Sequence, residues 1–122
     1  MIEPELIPMV AQRFKALGEP ARLALLACLQ RGERSVSQLV ALTGRGQPNV
    51  SQHLKELVRA GLVAPRREGA HVYYRIADPY VTRICDAVCR SVRASGQPRR
   101  PRRAPRGPRA SSAAGAREVG RG

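Results

Sequence analysis

Tryptophan is absent and aromatic residues are scarce: three Tyr and one Phe make up 3% of 122 residues. Binding of single-stranded nucleic acid or RNA through stacked bases needs aromatic platforms, so this composition argues against it. The longest purely apolar run is Leu23–Leu29, far short of the ~20 residues that span a bilayer. Glu3 and Glu5 stand where a secretory signal would carry cations, so no signal peptide is expected. The three cysteines are an odd set without framework spacing, which points to a reducing, cytoplasmic compartment. Acidic residues are also few. Nine Asp and Glu face 22 Lys and Arg, for a net charge of +13. Residues 95–122 hold eight Arg and one Glu, which is +7 of that total and leaves +6 on residues 1–94. Both parts are basic, and a polyanionic partner follows: nucleic acid first, an anionic membrane surface second.

The most informative stretch is Gly46–Gly61, GQPNVSQHLKELVRAG. Val50, Leu54, Leu57 and Val58 recur at helical spacing and share one face. Pro48 suits a first helical turn and Gly61 a left-handed stop. Gln52, Lys55 and Arg59 lie opposite the stripe, with Ser51 at one edge and Asn49 and His53 toward the other. Short amides, a hydroxyl and cations on one face suit base edges and phosphates in a major groove. An ordinary amphipathic surface helix shows the same pattern, so the neighbours decide.

Ahead of it, Leu6, Val10, Phe14 and Leu17 form a first helical stripe ending at Gly18. A second helix, about Pro20–Arg31, carries Leu23, Leu25, Leu26, Cys28 and Leu29 and reads as the central core helix. Ser35-Val36-Ser37-Gln38 matches a capping box and opens a third helix, about Val36–Thr43, burying Val36, Leu39, Val40 and Leu42. Gly44-Arg45-Gly46 is a tight break before the fourth. Helix, short turn and a second helix with an exposed polar face is the helix-turn-helix layout. Leu62–Ala64 and His71–Ile76 then read as two strands, joined by Arg66-Arg67-Glu68-Gly69 with Gly69 supplying the positive φ of the turn. Such a ribbon is a wing, with Arg66 and Arg67 at its tip where a minor groove or phosphate backbone would lie. A last helix, about Pro79–Ala94, is capped by Asp78 and carries Val81, Ile84, Cys85, Val88 and Val92, with Cys89 at the margin. Its apolar face calls for a cover, most naturally a partner subunit that also engages the first helix. The fold class is therefore mainly α with a small β-hairpin, in the order α-α-α-α-β-β-α. A winged helix-turn-helix DNA-binding and dimerisation domain is expected over 1–94. An Arg/Pro-rich basic tail without apolar periodicity is expected to be disordered over 95–122. That tail is either a solvated appendage or a counterion-releasing arm on nucleic acid.

This order and these motifs resemble the ArsR family of bacterial winged-helix repressors across about residues 5–93. The resemblance rests on Phe14-Lys15-Ala16-Leu17-Gly18-Glu19-Pro20-Ala21-Arg22-Leu23, on Val50-Ser51-Gln52-His53-Leu54-Lys55-Glu56-Leu57 and on Ala60-Gly61-Leu62-Val63. The Arg66-Arg67-Glu68-Gly69 turn and the Tyr73-Tyr74-Arg75-Ile76 strand match as well. It implies a homodimer, joined through the first and last helices, that binds a palindromic double-stranded DNA operator, represses nearby genes and is released by an effector. Family DNA contacts carry over to Gln47, Asn49, Ser51, Gln52 and Lys55 and to Arg66 and Arg67, with Arg59 and His53 as further candidates on the helix. His53 adjoins the apolar stripe and reads more as a structural residue than as a base reader. The family's paired cysteines at the start of the third helix are replaced by Ser35 and Ser37, poor ligands for soft metals. No histidine stands on the last helix for the family's other site. Cys85 and Cys89, at i and i+4, remain as candidate ligands for a soft metal or As(III), against their alternative role as small core residues. A basic architectural or RNA-binding protein is the competing function. An enzyme using a Cys–His pair is disfavoured, since nothing orients a base or builds an oxyanion site.

Overall fold

The computed structural model describes residues 1–96. The basic segment beginning at residue 95 lies outside the described residues except for Ser95 and Gly96. A 3-10 turn, Pro4–Leu6, leads into α1 (Ile7–Leu17) and α2 (Pro20–Leu29). These are followed by β1 (Arg34–Ser35), α3 (Val36–Thr43), α4 (Gln47–Arg59), β2 (Val63–Glu68), β3 (His71–Ile76) and α5 (Tyr80–Ala94). The architecture is the winged helix-turn-helix expected from the sequence, with one added strand.

Local chemistry sets most of the boundaries. Glu19 stands before Pro20 and accepts hydrogen bonds from the amides of Ala21 and Arg22, filling two of the donors a helix start leaves open. Ser35 and Gln38 close the capping box of α3 in both directions. The α4 helix ends in a paired stop: the amide of Gly61 donates to Val58 and that of Leu62 to Leu57. Gly61 takes a φ of 79°, and Leu62 and Leu57 are both buried beside each other's turn, the apolar seal that accompanies this stop. The last helix starts at Tyr80, slightly later than the sequence suggests. Asp78 Oδ1 accepts from the Tyr80 amide while Oδ2 takes Arg13 Nη1 at 2.9 Å, tying α1 to the base of α5.

The core is one cluster. Leu25, Leu26 and Leu29 of α2 meet Leu39 of α3, Val50, Leu54 and Leu57 of α4, Leu62, Val63 of β2 and Val81 of α5. The α2 helix is the hub, but Leu23 is 42% exposed, so its apolar residues do not wrap it evenly. Leu42 of α3 is exposed, contrary to expectation, because it falls on the solvent side of a two-turn helix whose inner face is Leu39. In α1 only Leu17 is buried, while Phe14, and Leu6 in the turn before it, stand open to solvent. In α5 only Val81 is buried, while Val88 and Val92 stand open.

The sheet departs furthest from the sequence reading. It has three antiparallel strands in the order β1-β3-β2. The two-residue β1 pairs Arg34 with Tyr74 and Ser35 with Tyr73. The second strand extends through Pro65, Arg66 and Arg67 to Glu68, so Arg66 and Arg67 belong to the strand and the turn is Gly69-Ala70. Pro65 does not end β2, because an edge strand needs no amide on its outer side.

Candidate nucleic-acid interface

Burial of Val50, Leu54 and Leu57 against the core turns the opposite face of α4 to solvent. Gln47, Asn49, Gln52, Lys55 and Arg59 are exposed and Ser51 is half-buried. No side chain caps the start of α4, so its first-turn amides are open to an acceptor. Gln47 also shares a concavity with Ser35, Ser37, Val40, His71 and Val72. The start of α4, the start of α3 and the tip of the wing thus border one cleft.

The candidates do not all converge. Arg59 lies twelve residues from Gln47, ~18 Å along the helix axis at 1.5 Å per residue. It borders Gln12 and Lys15 of α1 instead of the cleft. Glu56 accepts from Gln52 Nε2 at 3.3 Å and from Arg59 Nη1 at 3.4 Å, so one carboxylate steadies two of the polar side chains. His53 faces inward. Its Nδ1 is 3.4 Å from Arg22 Nη1 and its Nε2 3.9 Å from Glu19 Oε1. Arg22 in turn donates to the Ala16 and Lys15 carbonyls, so His53 joins α4 to the α1–α2 junction.

On the wing, Arg66 and Arg67 differ. Arg66 donates from Nε and Nη2 to Glu33 and from Nη1 to Glu68 Oε1 at 2.7 Å. Its guanidinium carbon lies 5.2 Å from the Tyr73 ring centre. The hydrogen bond from Arg66, outweighing burial, holds the Glu33 carboxyl below the usual range. Arg67 is exposed on the opposite side of the strand, across from Val72. Glu33, Glu68 and Tyr73 were not singled out from the sequence. The available signal was strand alternation, which puts Arg66, Glu68 and Tyr73 on one face.

The thiols sit elsewhere. Cys85 is half-buried and Cys89 exposed on α5. Burial first, then Cys89 and Asp86, push the Cys85 thiol up, so its thiolate is disfavoured. Cys28 is half-buried beside the core and its thiol too is pushed up by burial, against the pull of Arg34 and Arg31. Among the described residues no three His, Cys, Asp or Glu side chains come together as a metal site. A groove of about 420 Å³ between α1, α2 and α5 is lined by Phe14, Leu23, Leu26, Ile84, Cys85 and Val88.

The fold and this face define a winged helix-turn-helix DNA-binding transcriptional regulator, a non-enzymatic class. Residues 19–64 match the profile of the "bacterial regulatory protein, arsR family". The chain is 34% identical over 114 residues to the transcriptional regulator KmtR of Mycobacterium tuberculosis, covering 92% of this chain and 88% of that protein. It is 45% identical over 71 residues to a probable mercury resistance operon repressor of Streptomyces lividans, covering 58% of this chain and 57% of the repressor. A homodimeric winged helix-turn-helix domain from Mycobacterium bovis superposes with a TM-score of 0.67 at 34% identity, covering 80% of this chain and 92% of that domain. The repressor BigR from Xylella fastidiosa does so with a TM-score of 0.67 at 33% identity, covering 72% and 90%. The chain belongs to the ArsR family.

The Glu19 cap carries a pH signature. Burial pushes its carboxyl up, but the Ala21 and Arg22 amides, with His53 and Arg22, outweigh it and leave the carboxyl below its ordinary value. Its stabilising effect is complete above the unfolded-state pKa and is lost as pH falls through the lower folded-state value. Urea midpoints followed from neutral into acid should therefore drop less in Glu19→Gln, which keeps an acceptor for the amides, than in the wild type. Equal acid losses in both proteins would show that Glu19 contributes nothing through its charge.

Proposed function

We propose that the chain is a cytoplasmic, homodimeric repressor that binds a palindromic double-stranded DNA operator through α4 and the wing and is released by an effector. The observation that carries this reading is the division of α4. Val50, Leu54 and Leu57 of its apolar stripe are fully buried and Val58 partly so, while Gln47, Asn49, Gln52 and Lys55 stand exposed, next to a cleft shared with the wing. Asn and Gln amides can pair with adenine edges, and Lys55 with guanine or phosphate. Gln47, Asn49, Ser51, Gln52 and Lys55 form the reading set, and Arg67 meets the backbone. Arg59 serves the far end of the site near α1. His53 and Arg66 are left out, their donors and acceptors being engaged within the protein. The basic segment from residue 95 adds sequence-independent affinity to the domain at 1–94. Gln52→Ala should weaken operator binding by about 1–3 kcal/mol while leaving binding to scrambled DNA unchanged. Promoter fragments retained by the wild-type protein would supply the operator for competition assays, and an unchanged preference in Gln52→Ala would misplace the reading face.

The exposed apolar residues of α1 and α5 favour the dimer. Phe14, Val88 and Val92 are 55%, 53% and 44% exposed on adjoining helices, a cost that a second copy would remove. The homodimeric neighbour from Mycobacterium bovis supports a dimer. Val88→Glu should sediment as a monomer and lose operator binding. A wild-type protein that is already monomeric at micromolar concentration would falsify the dimer.

Cys85 and Cys89 are the candidate effector site, for As(III) or a soft metal, with a partner's pair completing the ligand set. The mercury-resistance repressor among the relatives makes a soft-metal effector the first to try. Titrating operator-bound protein with As(III), Hg(II), Zn(II) and Cd(II) should release the wild type and leave a Cys85→Ser/Cys89→Ser protein bound. Equal release of the two proteins, or no release, would make the thiols packing residues.

A further inference from the structure

The wing hairpin is not anchored along its whole length. Its two strands are paired from Val63↔Ile76 to Glu68↔His71, but β1 supports β3 only at Tyr73 and Tyr74. The Arg66↔Tyr73 level is therefore the last that has a third strand beside it. Beyond it lie Arg67↔Val72, Glu68↔His71 and the Gly69-Ala70 turn, a two-stranded ribbon with no third strand beside it, its β3 side bordering the start of α3 and Gln47 across a cleft. Two-stranded ribbons are marginal by themselves and twist freely.

At this level the sheet carries a clamp. Glu33 immediately precedes β1, on one edge of the sheet, and Arg66 lies on β2, the other edge. The Arg66 side chain reaches across β3 to Glu33, with Nε 3.1 and 3.0 Å from the two carboxylate oxygens and Nη2 2.8 Å from Oε1. Nη1 holds Glu68 on the same strand, and the guanidinium lies over Tyr73 on the strand between. Two edges and one face of the guanidinium are thus engaged, and two carboxylates share Arg66, with Arg75 as a second cation close enough to act on Glu33. A phosphate approaching Arg66 would have to displace a carboxylate in bidentate contact and meet the repulsion of both.

We propose that Arg66 is a positioning residue: with Glu33, Glu68 and Tyr73 it locks the hinge of the wing, and its neighbour Arg67 is the wing's phosphate contact. Arg67 stands at the first level without a third strand, and its direction follows from how the ribbon leaves the hinge. Exposed ion pairs contribute little to stability, so the clamp acts on where the ribbon points. The proposal rests on the DNA-binding reading and gives each wing arginine a separate task.

Salt dependence separates the two tasks, because each lost phosphate contact lowers the slope of log K against log salt by about 0.9. Operator binding of the full-length protein would be measured over a range of salt for the wild type, Arg67→Ala, Arg66→Ala, Arg66→Lys and Glu33→Gln. Arg67→Ala should lower the slope by about 0.9 for each wing in the complex. Arg66→Ala should weaken binding with the slope unchanged, because the unclamped ribbon still brings Arg67 to its phosphate in the complex but must be ordered to do so. Arg66→Lys should be no better, since an ammonium keeps the charge but cannot hold two carboxylates in a planar fork. Glu33→Gln, which leaves every cation in place, should weaken binding, and combining it with Arg66→Ala should add little further loss. Three results would overturn the clamp: a slope loss in Arg66→Ala equal to that of Arg67→Ala, wild-type binding by Arg66→Lys, or unchanged or tighter binding by Glu33→Gln. Should Arg66→Ala fail to fold, Glu33→Gln decides alone, since freed Arg66 would tighten binding if it were a phosphate ligand and weaken it if it is a strut. Failure of the wild type to prefer operator over scrambled DNA would instead sink the DNA-binding reading itself.

Discussion

Everything on the proposed DNA-facing side depends on the seating of one apolar stripe. Val50, Leu54 and Leu57 are fully buried against α2 and α3. An α-helix seated by three side chains on one face cannot roll without exposing them, at about 1.5–3 kcal/mol for each. The orientation of the polar face of α4 is therefore set chiefly by hydrophobic packing, with His53 against Arg22 and Glu19 as a polar tie. The stop at Gly61 fixes where the chain leaves, and Leu62 and Val63 carry the same core directly into β2. Reading helix and wing thus share a core, and their mutual orientation is set in one place.

This part of the molecule was legible in the sequence because it is written in local rules. Helical spacing gave the stripe, Ser35 and Gln38 gave the cap of α3, and Gly61 and Gly69 gave a stop and a turn. The third strand was not legible. Two residues have no periodicity, and Arg34 and Ser35 become a strand only by pairing with Tyr74 and Tyr73, about forty residues on. The extension of β2 past Pro65 was hidden for a related reason: a proline reads as a strand break unless the strand is known to lie on an edge. The role of Arg66 was hidden most deeply. An exposed arginine in a wing looks the same in sequence whether it faces a phosphate or a carboxylate, and Glu33 is 33 residues away.

The α1 and α5 helices show the complementary limit. Periodicity establishes that Leu6, Phe14, Val88 and Val92 lie on apolar faces, but it does not state what covers them. Among the described residues nothing does, and α1 is tied down mainly by Leu17, by the Arg13–Asp78 pair and by Arg22 on its last carbonyls. On the proposed reading a partner subunit supplies the rest of its burial. The thiol pair belongs to the same region, and Cys85 lines the groove between α1, α2 and α5. A change at the thiols would therefore act where the packing is least complete, where a small free energy can move a helix.

Charge placement refines what the composition suggested. An excess of +6 on residues 1–94 would predict a broadly sticky surface for DNA. The structure engages some of these cations within the protein. Glu33 and Glu68 engage Arg66 and Asp78 holds Arg13, while Glu56 steadies Gln52 and the still-exposed Arg59. Each pair subtracts sequence-independent attraction and adds rigidity to a side chain or strand near the reading face. Non-specific binding follows the number of phosphates neutralised, whereas discrimination follows how well the amides of α4 are held against base edges. Spending acidic residues beside the reading face lowers the first and protects the second. A basic protein can in this way keep a preference for one sequence over the bulk of DNA.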